Sequence, residues 1–221
     1  MRVLTYLLVI LFIAAVLLYF LPGTIHIEKS MVVKARQEVV YNSLNSTQEW
    51  KNWAWFLKED PASIINYNGP SDGPGAALNW SSLIPDLRTG NVLVQTSEPA
   101  TQVKALIRYD KYGSSSNTFL TENTGNGTKV TWTADIDVTN GGSPTGWLNK
   151  IKAFSWKAQL DKAMDVSLKS LDETTANTVY IPGNNDPLSI KLDALYRKVD
   201  SLTQPKTRRD TVYVDTLSGK H

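Results

Sequence analysis

From Thr24 to Val138 the chain alternates apolar and polar residues in short runs separated by Gly, Pro, Asn and Asp, and this pattern restricts the fold most. A period of two puts successive side chains on opposite faces of a strand, so each run offers one face to a core and one to water. The first run sets Ile25, Ile27, Lys29, Met31 and Val33 against His26, Glu28, Ser30, Val32 and Lys34. Further runs lie at Ser63–Tyr67, Ala76–Ser81, Asn91–Ser97, Gln102–Tyr109, Asn117–Glu122 and Thr128–Val138. Turn signals at Gly69-Pro70, Asp72-Gly73-Pro74-Gly75, Pro85-Asp86 and Gly125-Asn126-Gly127 divide them, which predicts an antiparallel meander. After the first run, a helix from Ala35 to about Ser46 has an apolar face of Val39, Val40, Tyr41 and Leu44. The Trp50–Phe56 aromatic cluster then reads as a short second helix and turn.

Beyond Gly141-Gly142-Ser143-Pro144 the periodicity changes. From Thr145 to about Glu173, past Gly146, neither Gly nor Pro interrupts the chain. Trp147, Ile151, Phe154 and Ala158, then Leu160, Met164, Leu168 and Leu171, recur at steps of three and four, which predicts one long amphipathic helix. A single helix laid on a curved antiparallel sheet does not fill the concavity, so the layout predicts a hollow between them.

Composition narrows the chemistry. The 221 residues include no cysteine and only His26 and His221 as histidines, which excludes disulfides, thiolate metal sites and cysteine nucleophiles. No acidic or histidine cluster has metal-ligand spacing, so no metal and no cofactor is expected. The formal charge of +2 argues against a dedicated nucleic-acid binder. Gly69–Gly75 lacks the lysine and spacing of a phosphate loop. His26 reads as an exposed strand residue, and Asp135 with Asp137 as a solvated strand face. No catalytic residue is assigned, and the chain is read as leaning away from enzymatic function.

Residues Val3 to Pro22 carry no charge, and Pro22-Gly23 ends the run. Some 19 helical residues cover roughly 28 Å, close to the hydrocarbon thickness of a bilayer. Tyr6 and Tyr19 sit where interfacial aromatics belong. Tyr19, Phe20 and Leu21 occupy the place where a small-residue cleavage site would stand, so residues 1–23 are expected to be an uncleaved single-span anchor. Arg2 favours a cytoplasmic amino terminus, whereas Lys29, Lys34 and Arg36 pull the other way. The expected location is a bacterial inner membrane with the domain on the periplasmic side.

The motifs resemble a known family. Ile25–Ala35 followed by Glu38-Val39-Val40-Tyr41, the W-x-x-W-x-W of Trp50, Trp53 and Trp55, and Asn68-Gly69-Pro70 with Gly73, Gly75 and Trp80 occur in order. Ser97-Glu98-Pro99 and Gly127-Thr128-Lys129-Val130-Thr131-Trp132 follow. Together they resemble the START-like, polyketide cyclase/dehydrase and lipid-transport (SRPBCC) superfamily over Thr24–Glu173. The resemblance implies an α+β helix-grip fold, a curved antiparallel sheet wrapped around a long C-terminal helix, to which the N-terminal transmembrane helix is added. That superfamily binds lipids and other hydrophobic ligands, closes polyketide rings, and includes chaperone co-factors and toxins; the fold does not choose among these uses.

The expected function is binding of a hydrophobic small molecule or lipid, with a cyclase- or dehydratase-like enzyme and a scaffold with a filled cavity as alternatives. Candidate cavity residues are Trp55, Trp80, Val103, Ile107, Tyr109, Phe119, Trp132, Ile136, Phe154 and Met164. For Trp53 and Trp132, plain core packing competes with that role. Residues 174–187 read as a linker, and 204–221 as a tail. Between them, over 188–203, Leu188, Leu192, Leu195, Val199 and Leu202 form a short coiled-coil seam, suited to self-association or a partner helix.

Overall fold

The computed structural model describes residues 2–139 and 146–176. Elements follow in the order α1 (Arg2–Phe20), β1 (Thr24–Val33), α2 (Gln37–Asn45), α3 (Trp50–Trp53), α4 (Trp55–Lys58), β2 (Ile64–Asn68), β3 (Ala77–Ser81), β4 (Thr89–Glu98), β5 (Gln102–Tyr109), β6 (Gly113–Asn123), β7 (Thr128–Asp137) and α5 (Gly146–Ala176). The seven strands form one antiparallel sheet in the order β1-β7-β6-β5-β4-β3-β2. Strands β2 to β7 are a meander, and β1 closes onto β7, as a first strand must when the next strand in sequence starts the far edge. The alternation is literal in β7, where Val130, Trp132, Ala134 and Ile136 are buried and Asp135 is exposed. Strand β6 begins four residues earlier than its apolar pattern indicates, because Gly113 to Ser116 pair with Tyr109 to Leu106 and lack the large side chains that would betray them.

Helices α2, α3 and α4 cover one end of the concave face and α5 crosses it. The W-x-x-W spacing has a structural use: the indole of Trp50 donates to the Leu44 carbonyl at 2.9 Å, and that of Trp53 to the Ser43 carbonyl at 3.0 Å. These carbonyls lie in the last turn of α2, where no intrahelical donor remains, so the two indoles act as its cap. Gly90 faces Trp80 across the β3–β4 pair, and a Cβ at Gly90 would run into the indole and the Arg108 carbonyl.

Helix α5 corrects the predicted apolar face. Trp156, Leu160, Met164, Leu168 and Leu171 are buried. Ile151 and Phe154 are 50% and 70% exposed, and Ala158 is exposed as well. Phe154 therefore does not face the sheet as a cavity residue. The reason is phase: the step from Ala158 to Leu160 is two residues, which turns about 200° around a helix, so the two apolar series lie on opposite sides. The helix also runs past its expected end at about Glu173, to Ala176. Thr174 and Thr175 continue the helix, their hydroxyls donating to the Ser170 carbonyl at 2.8 Å and the Leu171 carbonyl at 2.6 Å. The seam Leu188–Leu202 and the tail lie outside the described residues, as does the side chain of Trp147.

Polar ties hold α5 down. Lys29 points inward from β1 and meets Asp161 at 2.8 Å and Asp165 at 3.0 Å, one helical turn apart. Ser167 accepts the Trp55 backbone N–H at 3.0 Å, and the Asp172 carboxylate takes the Lys34 N–H at 2.6 Å. Helix α1 is different: Val3, Tyr6, Phe12, Leu17 and Phe20 are all more than 60% exposed. Among the described residues no helix is long and apolar enough to cross a membrane, so the expected transmembrane helix is not supported.

Candidate ligand groove

The concave face carries Val103, Ile107, Phe119, Trp132 and Ile136 from the sheet, with Met164 opposite on α5, each 3% exposed or less. Trp53 enters between them, its ring 5.9 Å from Phe119 and 6.1 Å from Trp132. Trp50 lies 5.9 Å from Phe119, and Phe119 lies 4.9 Å from Trp132. The contacts of Trp50 and Trp53 with Phe119, and of Trp53 with Trp132, are edge-on, a favoured geometry for aromatic pairs. The polar ends are satisfied too, since the Trp132 indole donates to Asn117 at 2.9 Å and Asn117 donates to the Ser115 carbonyl at 3.0 Å. These candidates are buried and line neither the groove between α4 and α5 nor the cavity at the end of α1.

At the side of that interior the rings open into a groove of about 540 Å³ between α4 and α5. Trp55, Tyr112, Leu160 and Val166 supply its apolar wall, while Lys58, Glu59, Asp86, Gln159 and Lys162 stand around it. The volume lies within the roughly 300–1,000 Å³ typical of small-molecule sites. Trp55 is half-buried and stacks on Tyr109 with centroids 6.3 Å apart and planes 22° apart. Tyr109 in turn packs against Phe56 and Trp80, so the groove wall is backed by a rigid aromatic layer.

Burial, then the neighbouring Tyr112, raises the Tyr109 phenol far above its ordinary value, so it stays neutral and serves as surface. Behind two of the groove's lining residues, Lys111 donates to Asp86 at 2.6 Å with its ammonium 4.9 Å from the Tyr112 ring centre. Burial lowers its pKa, but the hydrogen bonds to Asp86 and Tyr112 outweigh that and raise it, so its ammonium stays charged.

Of the ten candidates, Trp55 lines this groove, Tyr109 and Trp80 stand behind it, and Phe154 lines a separate cavity of about 360 Å³ near the end of α1. Tyr112, Leu160 and Val166 were missed as lining. Tyr112 sits in the β5–β6 turn, which reads as punctuation; its aromatic character inside a turn was the available signal.

His26 and Asp135, which the sequence treats as separate, are register partners on β1 and β7, with Nδ1 2.7 Å from Oδ1. Both point to the convex side and are about 60% exposed, so water screens the pair. Among the described residues no three metal-capable side chains converge.

These features define an α+β domain of the helix-grip kind with a side groove. No protein-family model matches the sequence, and no curated protein aligns with it. Solved structures do match. A protein of unknown function from Staphylococcus aureus superposes with a TM-score of 0.52 at 12% identity, over 70% of this chain and 97% of that one. An uncharacterised protein from Rhizobium leguminosarum gives 0.51 at 14%, over 70% and 96%. Truncated norcoclaurine synthase from Thalictrum flavum gives 0.49 at 11%, over 71% and 96%, a likeness too weak to argue from. The chain has the START-like helix-grip fold, and identities this low speak to the fold alone.

Proposed function

We propose that the protein binds a hydrophobic small molecule or lipid in the groove between α4 and α5, while α1 holds the domain at a membrane. The observation that carries the reading is the groove itself: an aromatic wall at Trp55 and Tyr112, partly open to solvent, with charged side chains only around it. The exposed apolar side chains of α1 support the membrane part, since about 25 cal/mol per Å² favours covering them. Location on the periplasmic side of a bacterial inner membrane belongs to the same proposal, and protease accessibility in spheroplasts tests it.

Native mass spectrometry of the full-length protein in mild detergent, with a panel of lipids, quinones and polyketides, tests ligand binding. The expected result is a bound mass that Trp55→Ala loses. Recovering only empty protein against the whole panel overturns the reading.

The packed Trp50, Trp53, Phe119 and Trp132 interior favours a second reading, a scaffold whose fold is solid and whose partner binds through Leu188–Leu202. Deleting that seam should then change oligomeric state or the partners retained; an unchanged outcome removes this alternative.

A further inference from the structure

We propose that the first turns of α5 form a second membrane contact, a face that lies on an anionic lipid surface beside the point where α1 leaves the bilayer. The inference rests on the reading of α1 as membrane-held and goes beyond it. Lys150 donates to the Tyr19 carbonyl at 3.2 Å, so the start of α5 stands level with the last turn of α1. At that level Phe154 is 70% exposed and Ile151 is 50% exposed, on the side of α5 opposite its buried stripe. In water, two large apolar side chains on an outer helix face gain nothing from that placement. At a bilayer interface they bury their area among headgroups and acyl chains.

Charge selects the occupant. Lys150 and Lys157 flank this face on one side and Lys152 on the other, and the helix sequence has no acidic residue before Asp161. Three ammonium groups around two apolar anchors, with no carboxylate on this stretch of helix to offset them, match an anionic lipid surface. The cavity of about 360 Å³ beside it joins apolar Leu21, Pro22, Ile25 and Phe154 to polar Thr24 and His26 and to the cations Lys150 and Lys157, the mixture a lipid at the rim of the span would require. Two contacts also do what one helix cannot: they set the domain's tilt, and with it the direction in which the α4–α5 groove opens.

The cysteine-free sequence allows a clean test. Single-cysteine proteins made by Phe154→Cys, Leu11→Cys and Glu98→Cys carry an environment-sensitive fluorophore and are reconstituted into vesicles. One set is phosphatidylcholine alone, the other phosphatidylcholine with phosphatidylglycerol, each with lipid-borne quenchers. Leu11 reports the span, Glu98 the far side of the domain. The expected result is quenching at 11 in both lipids, quenching at 154 in the anionic vesicles, and none at 98. Lys152→Gln and Lys157→Gln should each lower the docked-to-undocked ratio at 154 about fivefold, with the effect fading in high salt. Quenching at 11 without quenching at 154 overturns the second contact and leaves the anchor standing. Loss of quenching at 11 overturns the anchor, and the second contact with it. Equal quenching at 154 in both vesicle types overturns the role of the lysines.

Discussion

Replacing Trp53 with alanine separates a solid interior from a hollow one. Trp53 is 1% exposed, with ring centres of Trp50, Phe119 and Trp132 at 4.9, 5.9 and 6.1 Å, and its indole caps the Ser43 carbonyl at 3.0 Å. Removing a large aromatic from such a site costs about 3–5 kcal/mol, made up of lost transfer energy and an unfilled cavity. About 1 kcal/mol of that is the lost hydrogen bond at the end of α2. Trp53→Phe keeps most of the ring packing and should cost only about 1–2 kcal/mol. For a domain of this size each kcal/mol moves Tm by roughly 2–4 °C, so Trp53→Ala should lower it by about 6–20 °C. Urea unfolding of the full-length protein in detergent, followed by far-UV circular dichroism, measures the loss, and an unchanged m-value keeps the comparison valid. Added indole should restore part of the loss by entering the cavity. A loss below about 1 kcal/mol would refute the reasoning, because a ring that costs so little to delete is not packed. The ligand would then belong at Phe119, Trp132 and Ile136, inside the fold.

Trp55→Ala should do the reverse: its half-exposed ring contributes less to stability, yet ligand retention in the native mass spectrum should fall about tenfold, the worth of one aromatic contact. Equal affinity would move the site away from the groove. Gly90→Ala forces a Cβ against the Trp80 indole and should cost about 1–3 kcal/mol in urea unfolding, partly recovered when Trp80→Leu makes room. Lys29 has a pKa raised above its ordinary 10.5 by its hydrogen bonds to Asp161 and then Asp165. Its contribution is therefore complete below pH 10.5 and is lost as pH rises through the folded value. Stability curves of the parent and Lys29→Met should converge above that pH, and parallel curves would show that the contact carries no such linkage.

The strands were legible because their physics is local. Each inward residue of β7 is two positions from the next, and turns at Gly69–Gly75 and Gly125–Gly127 announce themselves by residue type. What the sequence concealed depends on partners far along the chain. No local signal says that the indoles of Trp50 and Trp53 reach back to cap α2, so the W-x-x-W spacing reads only as an aromatic cluster with a turn. Nor does a local signal bring Tyr112, in a turn, opposite Leu160 on α5 to make the groove. Lys29 looks misplaced on an apolar strand face until Asp161 and Asp165, more than 130 residues away, account for it.

Helix α5 shows where periodicity stops being enough. Two apolar series with correct three- and four-residue steps invite fusion into one stripe, but a helix keeps count of phase, and two residues between Ala158 and Leu160 place the series back to back. Only one series can face the sheet. Trp156, Leu160, Met164, Leu168 and Leu171 win because they lie on the side from which Asp161 and Asp165 can both reach Lys29 and Ser167 can accept from Trp55. Ile151 and Phe154 are thereby left outside, at the end of the helix that also touches α1. An apolar pair kept exposed by the same geometry that packs the rest of the helix is not a packing fault, since shifting it inward would expose the larger stripe. The surface it occupies is where the proposed second membrane contact is to be tested.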